Sequence, residues 1–117
     1  MTEEKNAMIK STFLGIEDHG CFTFYLTLDY GNSGQGAGGY VLDVSADSKN
    51  QSTDTKLAKS LRIIERILNV VGVEEWEQLP GRHIKVKADH NRVYAIQNIL
   101  GGEWLDFDEY FEGVKHA

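Results

Sequence analysis

Cysteine and proline are almost missing from this chain: Cys21 and Pro80 are the only ones in 117 residues. A lone cysteine excludes an intrachain disulfide and any zinc site built on cysteines. With Phe22 and Phe24 beside it, Cys21 reads as a strand residue with a buried thiol rather than a nucleophile. Long apolar runs are missing as well. None approaches the roughly 18 residues of a membrane span, and the N-terminal Met-Thr-Glu-Glu-Lys-Asn has no apolar signal-peptide core. A cytosolic protein with no membrane partner is expected. Positive charge is in deficit, with 12 Lys+Arg against 18 Asp+Glu and a formal net charge of −6 at pH 7. A general grip on DNA or RNA needs a basic surface, so nucleic-acid polymers are excluded as partners. A small anion can still be held by a few local arginines.

What is present is the composition of an ordinary folded domain, 41% apolar and 26% charged. Its length suits a single domain, 1–117, small enough to gain from self-association. Residues 1–5 are polar and expected to fray. Strand period is expected over 6–14, a turn over 15–20, and a second strand over 21–29 with Phe22, Phe24, Leu26 and Leu28 on the core face. From Tyr30 to Tyr40, five of eleven residues are glycine. This stretch reads as a long hairpin loop leading to a short strand over 39–44, then a polar surface loop over 45–54.

Thr53, Asp54 or Thr55 is positioned to cap a helix that runs to about Val71 and stops at Gly72. Its apolar stripe is Leu57, Leu61, Ile64, Leu68 and Val71, joined by Ile63, Ile67 and Val70. A short helical turn follows over 73–79, with Trp76 and Leu79 inward, and Pro80-Gly81 ends it. Residues 82–88 alternate as a strand with Ile84, Val86 and Ala88 inward. Asp89-His90-Asn91-Arg92 is a hairpin turn, and 93–99 is its return strand. After the Gly101-Gly102 break, 103–105 is extended and Asp106 caps a terminal helix over 107–112. The fold class is α+β: an antiparallel sheet packed on one long helix, with short additional helices.

Few motifs carry chemistry. The 31–39 glycines match neither a P-loop, which ends in Gly-Lys-Ser/Thr, nor a dinucleotide fingerprint, which opens a helix. They serve either hairpin geometry alone or a ligand rim of backbone N–H groups with Ser33 and Gln35, flanked by Tyr30 and Tyr40. Glu17, Asp18 and His19 sit in a turn where acidic residues are common, and the histidines lack metal spacing, so no metal is expected. Lys59, Arg62 and Arg66 share one helical side, either as a solvated face or as a grip on a pyrophosphate. Lys85 and Lys87 face outward on a basic hairpin with Arg82 and Arg92. Asn98 either ties its amide to loop backbone or offers a bidentate edge to a base. Trp104 is either core or a stacking platform.

Several stretches together resemble small bacteriophage and prophage proteins, and among these the type-one Thoeris anti-defence sponge family. They are Ser11-Thr12-Phe13-Leu14-Gly15-Ile16-Glu17-Asp18-His19-Gly20, Gly34-Gln35-Gly36-Ala37-Gly38-Gly39-Tyr40, Val71-Gly72-Val73-Glu74-Glu75-Trp76 with Gly81, and Ile96-Gln97-Asn98 followed by Trp104. The resemblance covers nearly the whole chain and implies a non-enzymatic binder. Such proteins hold cyclic ADP-ribose isomers made by TIR-domain immune enzymes, so the host effector never receives its signal. Some members are associated with cyclic oligonucleotides of another defence system, and members assemble as dimers and higher oligomers.

For this chain the resemblance implies a phage protein acting in the host cytosol, with no cofactor and no catalytic residue. The glycine stretch and Asn98 fall on motif positions, and Arg62 and Arg66 match in residue type and region. The expected ligand-binding set is therefore Tyr30, Gln35, Gly38, Tyr40, Arg62, Arg66 and Asn98. A cyclic dinucleotide-like ligand offers adenine to a ring, ribose hydroxyls to Gln or Asn, and a pyrophosphate to Arg or backbone N–H. Two other readings stand beside it. One is a protein–protein inhibitor acting through the acidic surface; the other is a nucleotide-directed enzyme using Asp18 and His19 as acid and base.

Overall fold

The structure is a computed structural model that describes residues 2–42 and 53–112, apart from the side chains of 53–57 and 112. Of the polar loop expected over 45–54, residues 45–52 lie outside the described residues, as do positions 43 and 44 of the expected third strand and the side chain of Leu57.

Six strands form one antiparallel sheet: β1 (Glu3–Ile16), β2 (Phe22–Asp29), β3 (Gly34–Val41), β4 (His83–Ala88), β5 (Val93–Asn98) and β6 (Trp104–Asp106). Two helices accompany it, α1 (Thr53–Val71) and α2 (Phe107–Glu112), with a short 3-10 turn at Trp76–Gln78. Across the sheet the order is β3-β2-β1-β4-β5-β6, so β1 is central and links the two hairpins. The α+β class expected from the sequence is therefore found. The single long helix across the sheet is not: α1 and α2 both lie against β5 and β6.

The inner face follows the expected alternation. Phe24, Leu26 and Leu28 of β2 and Ile84, Val86 and Ala88 of β4 are all buried. Register sets Ile9 opposite Leu28 and Lys5 opposite Val86, which places β1 between them. That pairing also corrects the expected fraying of residues 1–5: Glu3, Glu4 and Lys5 pair with Ala88, Lys87 and Val86. The free edge of β4 supplies backbone partners that a polar terminus alone does not reveal.

On α1 the buried line is Ile63, Ile67 and Val71, with Ile64, Leu68 and Val70 at its margins. Leu61, expected in the stripe, is 65% exposed. The apolar arc is wider than the surface the sheet presents, so its edge residue stays in water. Gly72, at φ +90°, ends the helix, and its N–H and that of Val73 both donate to the Leu68 carbonyl at 2.8 and 3.0 Å.

The largest departure from expectation lies in the glycine stretch. The strand expected from residue 39 begins earlier: residues 34–38 are not loop but belong with 39–41 to the edge strand β3, paired with β2 from Asp29↔Gly34 to Thr23↔Val41. Glycine is normally poor in strands, yet here it makes room. A Cβ on Gly36 would sit 1.7 Å from the Tyr25 hydroxyl, because the ring of Tyr25 lies across the glycine backbone. Aromatic cover of this kind stabilises glycine in an edge strand. The bulge near Gly38 then turns Tyr40 inward, where its ring stacks on Phe111 at 4.4 Å and on Phe24 at 6.2 Å. Phe107 joins the same cluster.

Candidate functional site

The sheet curls until β3 touches β5, although β2, β1 and β4 lie between them in the sheet. A chain of hydrogen bonds spans this seam. The Tyr30 hydroxyl donates to Gln35 Oε1 at 2.6 Å, and Gln35 Nε2 donates to the Asp89 carbonyl at 2.7 Å. The Asp89 carboxylate accepts from the Tyr94 hydroxyl and from the N–H groups of Asn91 and Arg92. The Arg92 guanidinium lies over the Tyr94 ring and donates from both terminal nitrogens to the buried carboxylate of Asp108. Tyr40 closes the chain, its hydroxyl donating to Asp108 Oδ1 at 2.8 Å.

The expected site residues therefore fall into separate settings. Tyr30 and Gln35 belong to one end of this chain and Tyr40 to the other. Burial raises the pKa of the Tyr30 phenol. Gly38 holds the β3 bulge against Phe24. Arg62 is exposed and Arg66 half-buried on α1, close enough to Tyr110 to act on its charge, while Lys59 lies over the Tyr110 ring. Of the seven, Tyr30 borders one described hollow and Gln35 another.

Asn98 sits under the end of α1. Its amide nitrogen donates to the carbonyls of Val70 and Val71 at 3.1 and 3.2 Å, and its oxygen accepts from the Leu100 N–H at 2.9 Å. These are carbonyls that a helix C-terminus leaves without intrahelical partners. Asn98→Ala should lower stability by about 1–2 kcal/mol. Asn98→Asp should cost more, because it sets a carboxylate against the negative end of the helix. Urea unfolding of the two variants checks the order, and a harmless Asn98→Asp would show that the cap contributes nothing.

Asp89 carries a pH signature. Its carboxyl is held down at about 2, chiefly by the Tyr94 hydroxyl and then by the Asn91 N–H. An unfolded aspartate titrates near about 3.9. The folded value is depressed, so the contribution is complete above the unfolded value and disappears as pH falls toward about 2. Asp89→Asn should therefore be less stable than the parent at pH 7, with the gap closing between about pH 4 and 2. Thermal midpoints measured across that range test this; a gap independent of pH would refute it.

A second region brings residues that the sequence noted separately, Glu17, Asp18 and His19 with Ser33 and Gln35, together with aromatic ones that it did not single out. Strand register places Phe13, Tyr25, Thr27 and Gly36 together on the outer face of β1–β2–β3, opposite the core. Two hollows lie there. The larger, about 620 Å³, is lined by Phe13, Ile16, Glu17, Asp18, His19 and Tyr25 among others. The smaller, about 540 Å³, is lined by residues that include Lys10, Tyr25, Thr27, Ser33, Gln35 and Gly36. Tyr25 lines both, so the hollows are neighbours on either side of that residue, along one trough. Phe13 and Tyr25 are each 42% exposed, and Val41 and Ile16 add further exposed apolar surface. Both volumes are within the range of small-molecule sites.

The rim of the larger hollow is ordered by Glu17, whose carboxylate accepts from the backbone N–H groups of His19 and Cys21 at 2.7 and 3.2 Å and contacts His19 Nδ1 at 3.1 Å. The Cys21 N–H and then the His19 ring hold the Glu17 carboxyl below its ordinary range. Cys21, expected in a strand and buried, is half-buried just before β2 begins. Among the described residues, no three His, Cys, Asp or Glu side chains are grouped to hold a metal ion, and no helix is long and apolar enough to cross a membrane. On the outer face of β4 and β6, Lys87 lies 4.5 Å over the Trp104 ring, so that tryptophan already carries a cation. The exposed ring of Tyr25 was legible as an outward residue of β2, but its role as the shared wall of two hollows depends on β1 and β3.

Fold and site together define an α+β protein with a curled antiparallel sheet and an aromatic trough on its outer face. Comparison with known protein families, with curated proteins and with solved structures finds no match.

Proposed function

We propose that this chain is a non-enzymatic phage or prophage protein of the host cytosol that sequesters a cyclic nucleotide defence signal, a cyclic ADP-ribose isomer or a cyclic oligonucleotide, working as a homodimer or higher oligomer. One observation carries the reading. Two of the stretches in which the sequence resembles the sponge family, 11–20 and 34–40, are remote in the chain yet line the same trough. A sponge needs a preformed surface that holds a ligand without transforming it, and a stacking ring beside hydrogen-bonding groups suits a nucleotide. Gln35, part of the sequence expectation, borders this trough, while its side chain is engaged with Tyr30 and the Asp89 carbonyl. Tyr40, Arg62 and Arg66 lie on the helix side of the sheet.

The test incubates the protein with a cyclic ADP-ribose isomer, removes free ligand, and heat-denatures the complex. Intact ligand should be released, as read by mass spectrometry. A hydrolysed product would point to the enzyme, and retention of a basic host protein with no small molecule would point to the inhibitor. Tyr25→Ala should weaken binding at least tenfold, more than Arg62→Ala or Arg66→Ala does. The reverse order would move the pocket to the α1 face.

A further inference from the structure

The two hollows differ in chemistry, and the difference gives the trough a direction. Glu17 and Asp18 border the larger hollow, where a phosphate would meet like charge while the amino group of a base would meet acceptors. Phe13 and Tyr25 supply the apolar ring surface that a flat base covers. The smaller hollow holds Lys10, the only lysine or arginine among the described residues that line either one.

Lys10 owes its place to an irregularity. The β1–β2 register shifts between Ile9 and Ser11, so Lys10 is the extra residue of a bulge. Bulges of this kind re-aim a side chain. Thr27 and Ser33 add hydroxyl groups nearby, matched to ribose or phosphate oxygens. The Asp29 carboxylate shares this hollow and accepts the Gly31 N–H at 2.7 Å, so the smaller hollow sets one lysine against one carboxylate, whereas the larger has two carboxylates and no lysine or arginine.

Resting on the sponge reading, we infer that the trough takes an adenine diphosphate nucleotide in one orientation, with the base against Phe13 and Tyr25 beside Glu17 and Asp18, and the pyrophosphate at Lys10. Tyr25 is the wall against which base and ribose turn. The bulge in β1 then serves recognition: a regular strand would have no extra residue there to carry the cation.

Titration calorimetry with two probes, adenosine and linear ADP-ribose, tests the direction. ADP-ribose should bind about tenfold tighter than adenosine. Lys10→Ala should remove most of that advantage by weakening ADP-ribose far more than adenosine. Tyr25→Ala should weaken both about tenfold, and Tyr25→Phe, which keeps the ring, should retain both and shows that the fold tolerates change there. Lys87→Ala, outside the trough, should alter neither. Equal affinity for the two probes, or equal loss of both in Lys10→Ala, overturns the orientation. The two proposals fail separately. If a cyclic signal is captured but is indifferent to Tyr25→Ala and Lys10→Ala, the orientation falls and the sponge stands. If the linear probes behave as expected but no cyclic signal is retained, the nucleotide trough stands and the sponge falls.

Discussion

Arg92→Ala should lower stability by about 3 kcal/mol, because a buried carboxylate loses two charge-assisted hydrogen bonds. The Asp108 side chain is 2% exposed, whereas that of Arg92 is 45% exposed. Removing the arginine takes away both guanidinium donors and leaves a carboxylate that water barely reaches, with the Tyr40 hydroxyl still donating. The opposite deletion is milder. In Asp108→Ala the guanidinium can turn toward solvent, so the expected loss is about 2 kcal/mol, that of hydrogen bonds to a charged group. The double variant Arg92→Ala/Asp108→Leu should recover part of the single loss, because an apolar replacement removes the buried carboxylate together with its arginine. Urea unfolding midpoints of the three variants give the coupling directly. A finding that Arg92→Ala is milder than Asp108→Ala would mean that the carboxylate is solvated and the seam between β3 and β5 is held by something else.

Gly38→Val should be of similar severity, about 3 kcal/mol or more, and the reason is geometric. Gly38 has φ +119°, a backbone state that side chains rarely adopt and that costs about 1–3 kcal/mol by itself. A Cβ there would also come within 2.6 Å of the Phe24 carbonyl oxygen and 3.0 Å of its ring. Phe24 is fully buried at the centre of the aromatic cluster, so neither contact can relax cheaply. Gly39 is the control. Its φ is +84°, but a Cβ added there meets nothing within 4 Å, so Gly39→Ala should cost only about 1–2 kcal/mol. Circular dichroism with thermal melting separates the two. A fully stable Gly38→Val would place residue 38 in a free loop after all. Loss of ligand binding in Gly38→Val alone would not show contact with the ligand, because the fold is expected to fail first.

Both predictions concern places where local pattern and final structure part. The glycines of 34–38 read as loop because glycine weakens a strand and there is no side-chain alternation to see. What makes them a strand is Tyr25, whose ring crosses Gly36 from the neighbouring strand. Leu61 belongs to the apolar stripe of α1 by spacing, yet the sheet leaves it exposed. Asn98 was open between a backbone tie and a base contact; its amide is engaged with the end of α1, 27 and 28 residues away in sequence.

The sequence by itself determined the α+β class, the faces of β2 and β4, the span of α1 with its stop at Gly72, the Asp89–Arg92 turn and the Asp106 cap of α2. The Asp106 carboxylate does accept the Glu109 N–H, at 2.9 Å. All of these depend on periodicity or on partners a few residues apart, which the order of residues states outright. Only the tertiary structure decided that β3 extends back through the glycines to Gly34, that Arg92 meets Asp108, that helix cover is shared between α1 and α2, and that Phe13 and Tyr25 wall a trough. Those outcomes depend on how far the sheet curls and on which distant side chains the register sets together, quantities that no single stretch of sequence contains.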